Sequence, residues 1–229
     1  MSKPYYADDL VTIWHGDAMD ILPTLGMVDL VLTDPPFFMP AQHYASRSEW
    51  QRSWGDTSIL AAWWSLVVEA VVPHLRRTGH LITFCDDESY PVFYPPLYRR
   101  FDLLNGLVWD KGVIGMGSPW RHTHELLIAG RWSGSKWSGG GGQSDVLRVK
   151  SVPSAERRHP VDKPTDLLRQ LILPTTDPGD TVLDPFLGGG STLTAAKDLG
   201  RRVIGIEIEE RSCEIAANRC RQEVLGLVS

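Results

Sequence analysis

Short runs of consecutive apolar residues alternate along the chain with longer segments in which apolar positions recur every three or four residues. The runs at 11–14, 28–33, 80–84, 102–109, 124–129, 181–183 and 202–206 predict strands. Unbroken apolar strands are buried on both faces, as in a mostly parallel sheet. The periodic segments at 59–75, 165–173, 191–199 and 209–225 predict helices between them. This alternation predicts an α/β doubly wound fold of about seven strands.

Two stretches follow neither period. Residues 38–57 come directly after a proline pair and carry His43, Tyr44, Trp50 and Trp54, while residues 132–143 contain four consecutive glycines, Gly139 to Gly142. Loops of this length inside a compact domain are usually functional or disordered. Neither reads as a domain boundary, so a single domain over 1–229 is expected.

Composition adds exclusions. With 42% hydrophobic residues in 229, a sizeable core can form. No stretch approaches the roughly 20 apolar residues that span a bilayer. The start, Met1 to Tyr6, lacks the apolar run of a signal peptide, and a cytoplasmic protein is expected. The three cysteines, Cys85, Cys213 and Cys220, are odd in number and fit no zinc spacing, so reduced thiols are expected. Cys213 and Cys220, seven apart, would share one helix face in the core. The histidines, among them His15, His74, His122, His124 and His159, fall on different elements without ligand spacing, and no metal site is expected.

Charge changes the picture locally. The chain carries −5 overall, but residues 131–158 hold six basic side chains against Asp145 and Glu156, a net +4 that leaves −9 elsewhere. A basic patch on an acidic body suits a protein that meets phosphates on one face; a solvated basic loop is the plainer alternative.

Thr33-Asp34-Pro35-Pro36-Phe37 closes a predicted strand. Open α/β sheets place ligand-handling residues at the carboxyl ends of strands. Two prolines stiffen the turn and remove two N–H donors. The Asp34 carboxylate and the Pro35 carbonyl could each accept one proton of a planar NH2 group, freeing the nitrogen lone pair for an electrophilic methyl. Phe37 would stack on the base, and such a base must first leave the duplex. The alternative is a strand-to-helix turn with an aspartate cap.

Residues 182–192, Val-Leu-Asp-Pro-Phe-Leu-Gly-Gly-Gly-Ser-Thr, read as strand, glycine turn and helix start. Glycines let backbone approach a ligand, and a helix start offers free N–H groups. Asp184 closes the strand, so the ligand should carry a cation; the α-ammonium of S-adenosylmethionine would satisfy it, with Ser191 and Thr192 receiving the carboxylate. Glu207 closes the next strand, where nucleotide-binding α/β folds grip ribose hydroxyls.

Together these residues resemble the permuted β class of DNA amino-methyltransferases. That family has a [DNS]-PP-[YFW] motif near its start and a D-P-F-x-G-x-G motif near its end, matched here by Asp34 to Phe37 and Asp184 to Gly190. Residues 159–164, His-Pro-Val-Asp-Lys-Pro, match its H-P-x-x-K-P segment, and Gly16-Asp17 matches an early element whose aspartate lies near the cofactor adenine. Phe37 stands for the commoner tyrosine, and Gly188-Gly189-Gly190-Ser191 for Gly-Ser-Gly-Thr. The resemblance covers nearly the whole chain and implies a circularly permuted, Rossmann-like methyltransferase fold.

It also implies a site-specific DNA methyltransferase using S-adenosylmethionine. Catalysis falls to Asp34, Pro35, Pro36 and Phe37. Cofactor binding falls to Asp17, Lys163, Asp184, Phe186, Gly188, Gly190, Ser191, Thr192 and Glu207. Residues 131–158 would recognise DNA, with Arg131, Lys136, Arg148 and Lys150 as contacts, joined by Arg47 and Arg52 of a mobile loop at 38–57. Asp in the first motif position implies N6 of adenine; N4 of cytosine is the alternative, beside a catalytically idle binder of DNA or a partner and a nicotinamide dehydrogenase. A homodimer is possible on this reading, and restriction–modification, phage protection and regulation stay open as settings.

Overall fold

A computed structural model describes residues 3–36, 56–115, 119–153 and 162–226, with side chains described as far as Arg221. The strands are β1 (Tyr6–Ala7), β2 (Val11–His15), β3 (Val28–Thr33), β4 (Leu75–Cys85), β5 (Leu103–Asp110), β6 (His124–Arg131), β7 (Val146–Arg148), β8 (Thr181–Asp184) and β9 (Arg202–Glu207). They form one sheet in the order β1-β2-β9-β8-β3-β4-β6-β5-β7. β2, β9, β8, β3 and β4 are parallel neighbours, whereas β6 runs antiparallel to both β4 and β5. All seven expected strands are present; β1 and β7, of two and three residues, are too short to show a period.

Helices cover both faces. α4 (Thr165–Ile172), α5 (Ser191–Asp198) and α6 (Glu210–Gly226) bury Leu167, Leu171, Leu193, Ala196, Cys213 and Cys220 against one face. α1 (Ala18–Ile21), α2 (Thr57–Val71) and α3 (Tyr90–Tyr98) bury Ile21, Leu60, Trp64, Val68, Phe93 and Leu97 against the other. Alternate residues of β3 enter the two cores, Leu30 and Leu32 one and Val31 the other, which is why that strand is apolar throughout.

α2 shows how local sequence sets an element. Asp56 caps it, accepting from the Ser58 amide at 2.8 Å, and Leu60, Trp64, Val67, Val68 and Val71 recur at helical spacing on its buried side. With its 3₁₀ extension, Thr57–His74 is long and apolar enough, by length and composition, to cross a membrane, which corrects the expectation that no stretch approaches that length. Of its apolar positions Leu60, Trp64, Val67, Val68 and Val71 are occupied in the core, whereas Ile59 and Leu66 are exposed. α3 is not among the predicted helices, and it carries Pro95 and Pro96 in its interior, residues that ordinarily break a helix. It forms nonetheless: Pro91 stands in its first turn and Trp64 stacks on Phe93 at 4.3 Å, so packing outweighs propensity.

The topology makes one crevice. From β3 the chain crosses by α2 to β4 on one side, and from β8 it crosses by α5 to β9 on the other. β3 and β8 are adjacent, so the direction of winding reverses between them, and the carboxyl ends of strands at such a switch point are where open α/β sheets bind ligands.

Candidate active site

Four acidic side chains close four adjacent parallel strands: Asp17 just after β2, Glu207 on β9, Asp184 on β8 and Asp34 just after β3. At a strand spacing of roughly 4.8 Å the row spans about 15 Å. Its members differ in environment, and the differences are chemical.

Asp17 is exposed and caps α1, accepting from the Met19 amide at 2.8 Å. Glu207 accepts from the Gly188 and Glu209 amides, each at 2.8 Å, and so holds the glycine turn against β9. Asp184 is buried; it accepts from the Thr33 hydroxyl at 3.1 Å and the Phe186 amide at 3.2 Å. Burial nevertheless pushes its carboxyl up to about 7, against hydrogen bonds from Thr192, Phe186 and Thr33, with Asp34 adding to the rise. A buried acid in that state gains most from a neighbouring cation.

The glycine turn needs its glycines. Gly188 and Gly190 have φ of 53° and 84°, in the left-handed region. A Cβ on Gly190 would come within 2.8 Å of the Ala216 Cβ on α6. Without that side chain the buried Ser191 and Thr192 open α5 directly beside the β8 terminus. Phe186 packs against Trp63 of α2 at 5.3 Å between ring centres.

Asp34 belongs to a charged chain of four. Its Oδ2 lies 2.5 Å from Nζ of Lys163, which is 3.2 Å from Glu125 Oε2; Glu125 Oε1 is 2.6 Å from Nζ of Lys111. Burial pushes the Asp34 carboxyl above its ordinary range; Lys163 pulls it back, and the Glu125 charge pushes it further up. Asp34 Oδ1 is buried and has no hydrogen-bond partner among the described residues. Next to it, at the end of β4, burial and the charges of Asp86, Asp34 and Glu125 push the Cys85 thiol up, so no thiolate nucleophile stands there.

The expected site residues therefore separate into groups. Asp34, Pro35 and Pro36 meet Asp184, Ser191, Thr192 and Glu207 at one edge of the sheet. Lys163, expected with the cofactor, has its ammonium on the Asp34 carboxylate. Phe37, Arg47 and Arg52, like residues 159–161, lie outside the described residues.

The expected DNA contacts divide between the two edges of the sheet. β6 is antiparallel to β4, so Arg131 at its end pairs with His80, remote from the catalytic edge. Lys136 lies on that far edge too, ion-paired with Asp177 and with Asp180, the latter at 3.5 Å, just before β8 begins. Arg148 pairs in register with Asp110 at the catalytic end of β5, and Lys150 follows it. Sequence reasoning missed Glu125, Lys111, Asp162 and Arg219. Strand register alone brings Glu125 and Lys111 to Asp34, and no local pattern marked them.

Comparison with known proteins agrees with this geometry. The profile of the N6/N4 methyltransferase family, described as DNA methylase, matches residues 127–218. The Type II methyltransferase M2.DpnII of Streptococcus pneumoniae is 27% identical over 97% of this chain and 94% of its own. A protein of Escherichia coli strain K12 that bears the name methylase YubD is 30% identical over 86% of this chain and 84% of its own. The crystal structure of M1.HpyAVI in complex with S-adenosylmethionine superposes with a TM-score of 0.69 at 25% identity, covering 92% of this chain and all of that one. With the Asp34 and Asp184 motifs at the switch point of the sheet, this chain belongs to the N6/N4 amino-methyltransferase family of DNA methylases.

Proposed function

We propose that this chain transfers a methyl group from S-adenosylmethionine to the exocyclic N6 of adenine in DNA. The observation that carries this reading is the buried Oδ1 of Asp34, without a hydrogen-bond partner among the described residues, beside the Asp184 cofactor motif. A buried acceptor without a donor costs on the order of 1–3 kcal/mol, a cost that a donating substrate removes.

The row of acids fits the cofactor. Asp184 would hold the α-ammonium, the start of α5 with Ser191 and Thr192 the carboxylate, Glu207 the ribose hydroxyls, and Asp17 the adenine end. The cofactor supplies an electrophilic methyl on a sulfonium sulfur. The flipped-out amine would donate one N–H to Asp34 Oδ1 and the other to the Pro35 carbonyl, so its lone pair leaves conjugation and points at the methyl. A nitrogen–carbon bond would form as the carbon–sulfur bond breaks with its electron pair left on sulfur, and the surplus proton of the methylated amine would pass to solvent. Phe37 would stack on the base.

Asp34 in the first motif position favours adenine, in keeping with the family resemblance. On the DNA side, Arg148 and Lys150 stand at the catalytic edge with Trp120, 88% exposed in the β5–β6 connection and free to stack or wedge. Arg47 and Arg52 belong to the same reading, as do a single methyltransferase domain and a cytoplasmic location. A homodimer is supported by Ile59 and Leu66, exposed two turns apart on α2.

The test is incubation with unmethylated DNA and labelled S-adenosylmethionine, then digestion to nucleosides and mass spectrometry, with Asp34→Ala as control. N6-methyladenine from the wild type alone is expected. N4-methylcytosine would reassign the base, and the absence of any methylated base would overturn the reading.

A further inference from the structure

Residues 162 and 163 tie the two motifs together. The Asp162 carboxylate is bound by the Arg219 guanidinium of α6 at 2.6 and 2.7 Å and by the Ser191 hydroxyl, at the start of α5, at 3.3 Å. That pair is largely buried, with 7% and 11% of the two side chains exposed. The next residue reaches across the crevice. Lys163 Nζ lies 2.5 Å from Asp34 Oδ2, 3.2 Å from Glu125 Oε2 and 4.8 Å from the centre of the Phe84 ring.

These contacts fix the ammonium from three sides, and it engages only one of the two Asp34 oxygens. Among the described residues no donor reaches Oδ1. We propose that Lys163, braced by Glu125, is a positioning residue for methyl transfer that occupies Asp34 Oδ2 so that Oδ1 faces the target amine. This rests on the proposed function and assigns the lysine to catalytic geometry rather than to cofactor affinity.

The electrostatics agree. Burial alone would lower the Lys163 ammonium, but Asp34 and Glu125 outweigh it and hold it above its ordinary value, so it stays charged. Burial alone would raise Glu125, but Lys163 and Lys111 outweigh it and hold it below the usual carboxylate range. The charged or titratable groups around Asp34 are thus Lys163, Glu125 and Lys111, with Asp184 and Cys85 on the neighbouring strand ends. Removing Lys163 leaves Asp34 harder to ionise; removing the Glu125 charge makes it easier.

The experiment compares Lys163→Met, Lys163→Arg and Glu125→Gln with wild type in single-turnover methylation across pH, alongside equilibrium binding of S-adenosylmethionine. Misplacing a reacting group by about 1 Å costs on the order of 100-fold in rate, and Lys163→Met is expected to lose about that in kcat with cofactor Kd nearly unchanged. Lys163→Arg should recover part of the rate. The acid limb of kcat should move to higher pH in Lys163→Met and to lower pH in Glu125→Gln. If Lys163→Met does not fold, the Glu125→Gln limb decides: no shift overturns the proposal. A Lys163→Met that keeps wild-type kcat and instead loses cofactor affinity also overturns it, returning the lysine to the cofactor. A wild type that methylates nothing overturns the proposed function itself, an outcome separate from either of these.

Discussion

The Thr33 hydroxyl donates a 3.1 Å hydrogen bond to Asp184 Oδ1, joining the last residue of β3 to the last residue of β8. The residue before Asp34 thereby supports the carboxylate expected to hold the cofactor. Thr33→Val keeps the shape and removes the donor. A hydrogen bond to a charged group contributes roughly 1.5–3 kcal/mol. Cofactor Kd near neutral pH is therefore expected to rise at least several-fold, while kcat at saturating cofactor changes little. Calorimetric titration measures the first and steady-state kinetics the second.

Asp184 predicts a pH dependence. Its carboxyl, raised to about 7, is protonated in the free protein at lower pH, and a bound ammonium requires the charged form. Cofactor affinity should fall by up to tenfold per unit below about 7, since one unit of pKa is one factor of ten.

The same shift has a stability consequence of defined sign. The unfolded chain ionises Asp184 near the ordinary carboxylate value and the folded chain near 7, so native stability is lost as pH rises between them. Asp184→Asn escapes that loss. It should melt higher than wild type at pH 8, match it at pH 4, and fail to bind cofactor; equal melting at pH 8 would contradict the assignment.

Gly190→Ala combines a left-handed φ of 84° with a contact of 2.8 Å to Ala216 Cβ. Strain of this kind costs about 1–3 kcal/mol. The melting temperature should drop and cofactor binding with it. Adding Ala216→Gly should restore part of the stability, because it relieves the contact and leaves the backbone strain.

Breaking a buried ion pair on one side leaves an uncompensated charge and costs about 3–5 kcal/mol. Arg219→Met, which strands Asp162, should therefore destabilise strongly in denaturant unfolding. The double variant with Asp162→Asn should recover much of that loss.

DNA contacts can be read from salt dependence. Each phosphate contact removed lowers the salt slope of DNA binding by about 1. Arg148→Ala and Lys150→Ala, at the catalytic edge, should each show that change. Lys136→Ala, on the far edge and paired with Asp177, should leave the slope unchanged.

Much of this protein was legible in one dimension because its signals are local. Apolar strands buried on both faces announce a parallel sheet, and the residues closing β3, β8 and β9 are the ones expected to handle ligand. The misses have physical causes. α3 carries two interior prolines and is held by packing against α2. The basic residues of 131–158 form one patch in sequence, yet Arg131 and Arg148 lie toward opposite edges of the sheet, because β6 and β7 run in opposite directions.

Glu125 marks the boundary most clearly. Hydrophobic period and motif spacing depend on neighbours in the chain, so they specified the strands, their ends and the family without reference to the rest of the molecule. Glu125 lies on β6, Lys111 just after β5, and Lys163 on the approach to α4. Their meeting at Asp34 follows from sheet order and antiparallel register, which arise only when distant segments share a core. The sequence thus names the carboxylate expected to do the chemistry, and the folded sheet assembles the charges around it.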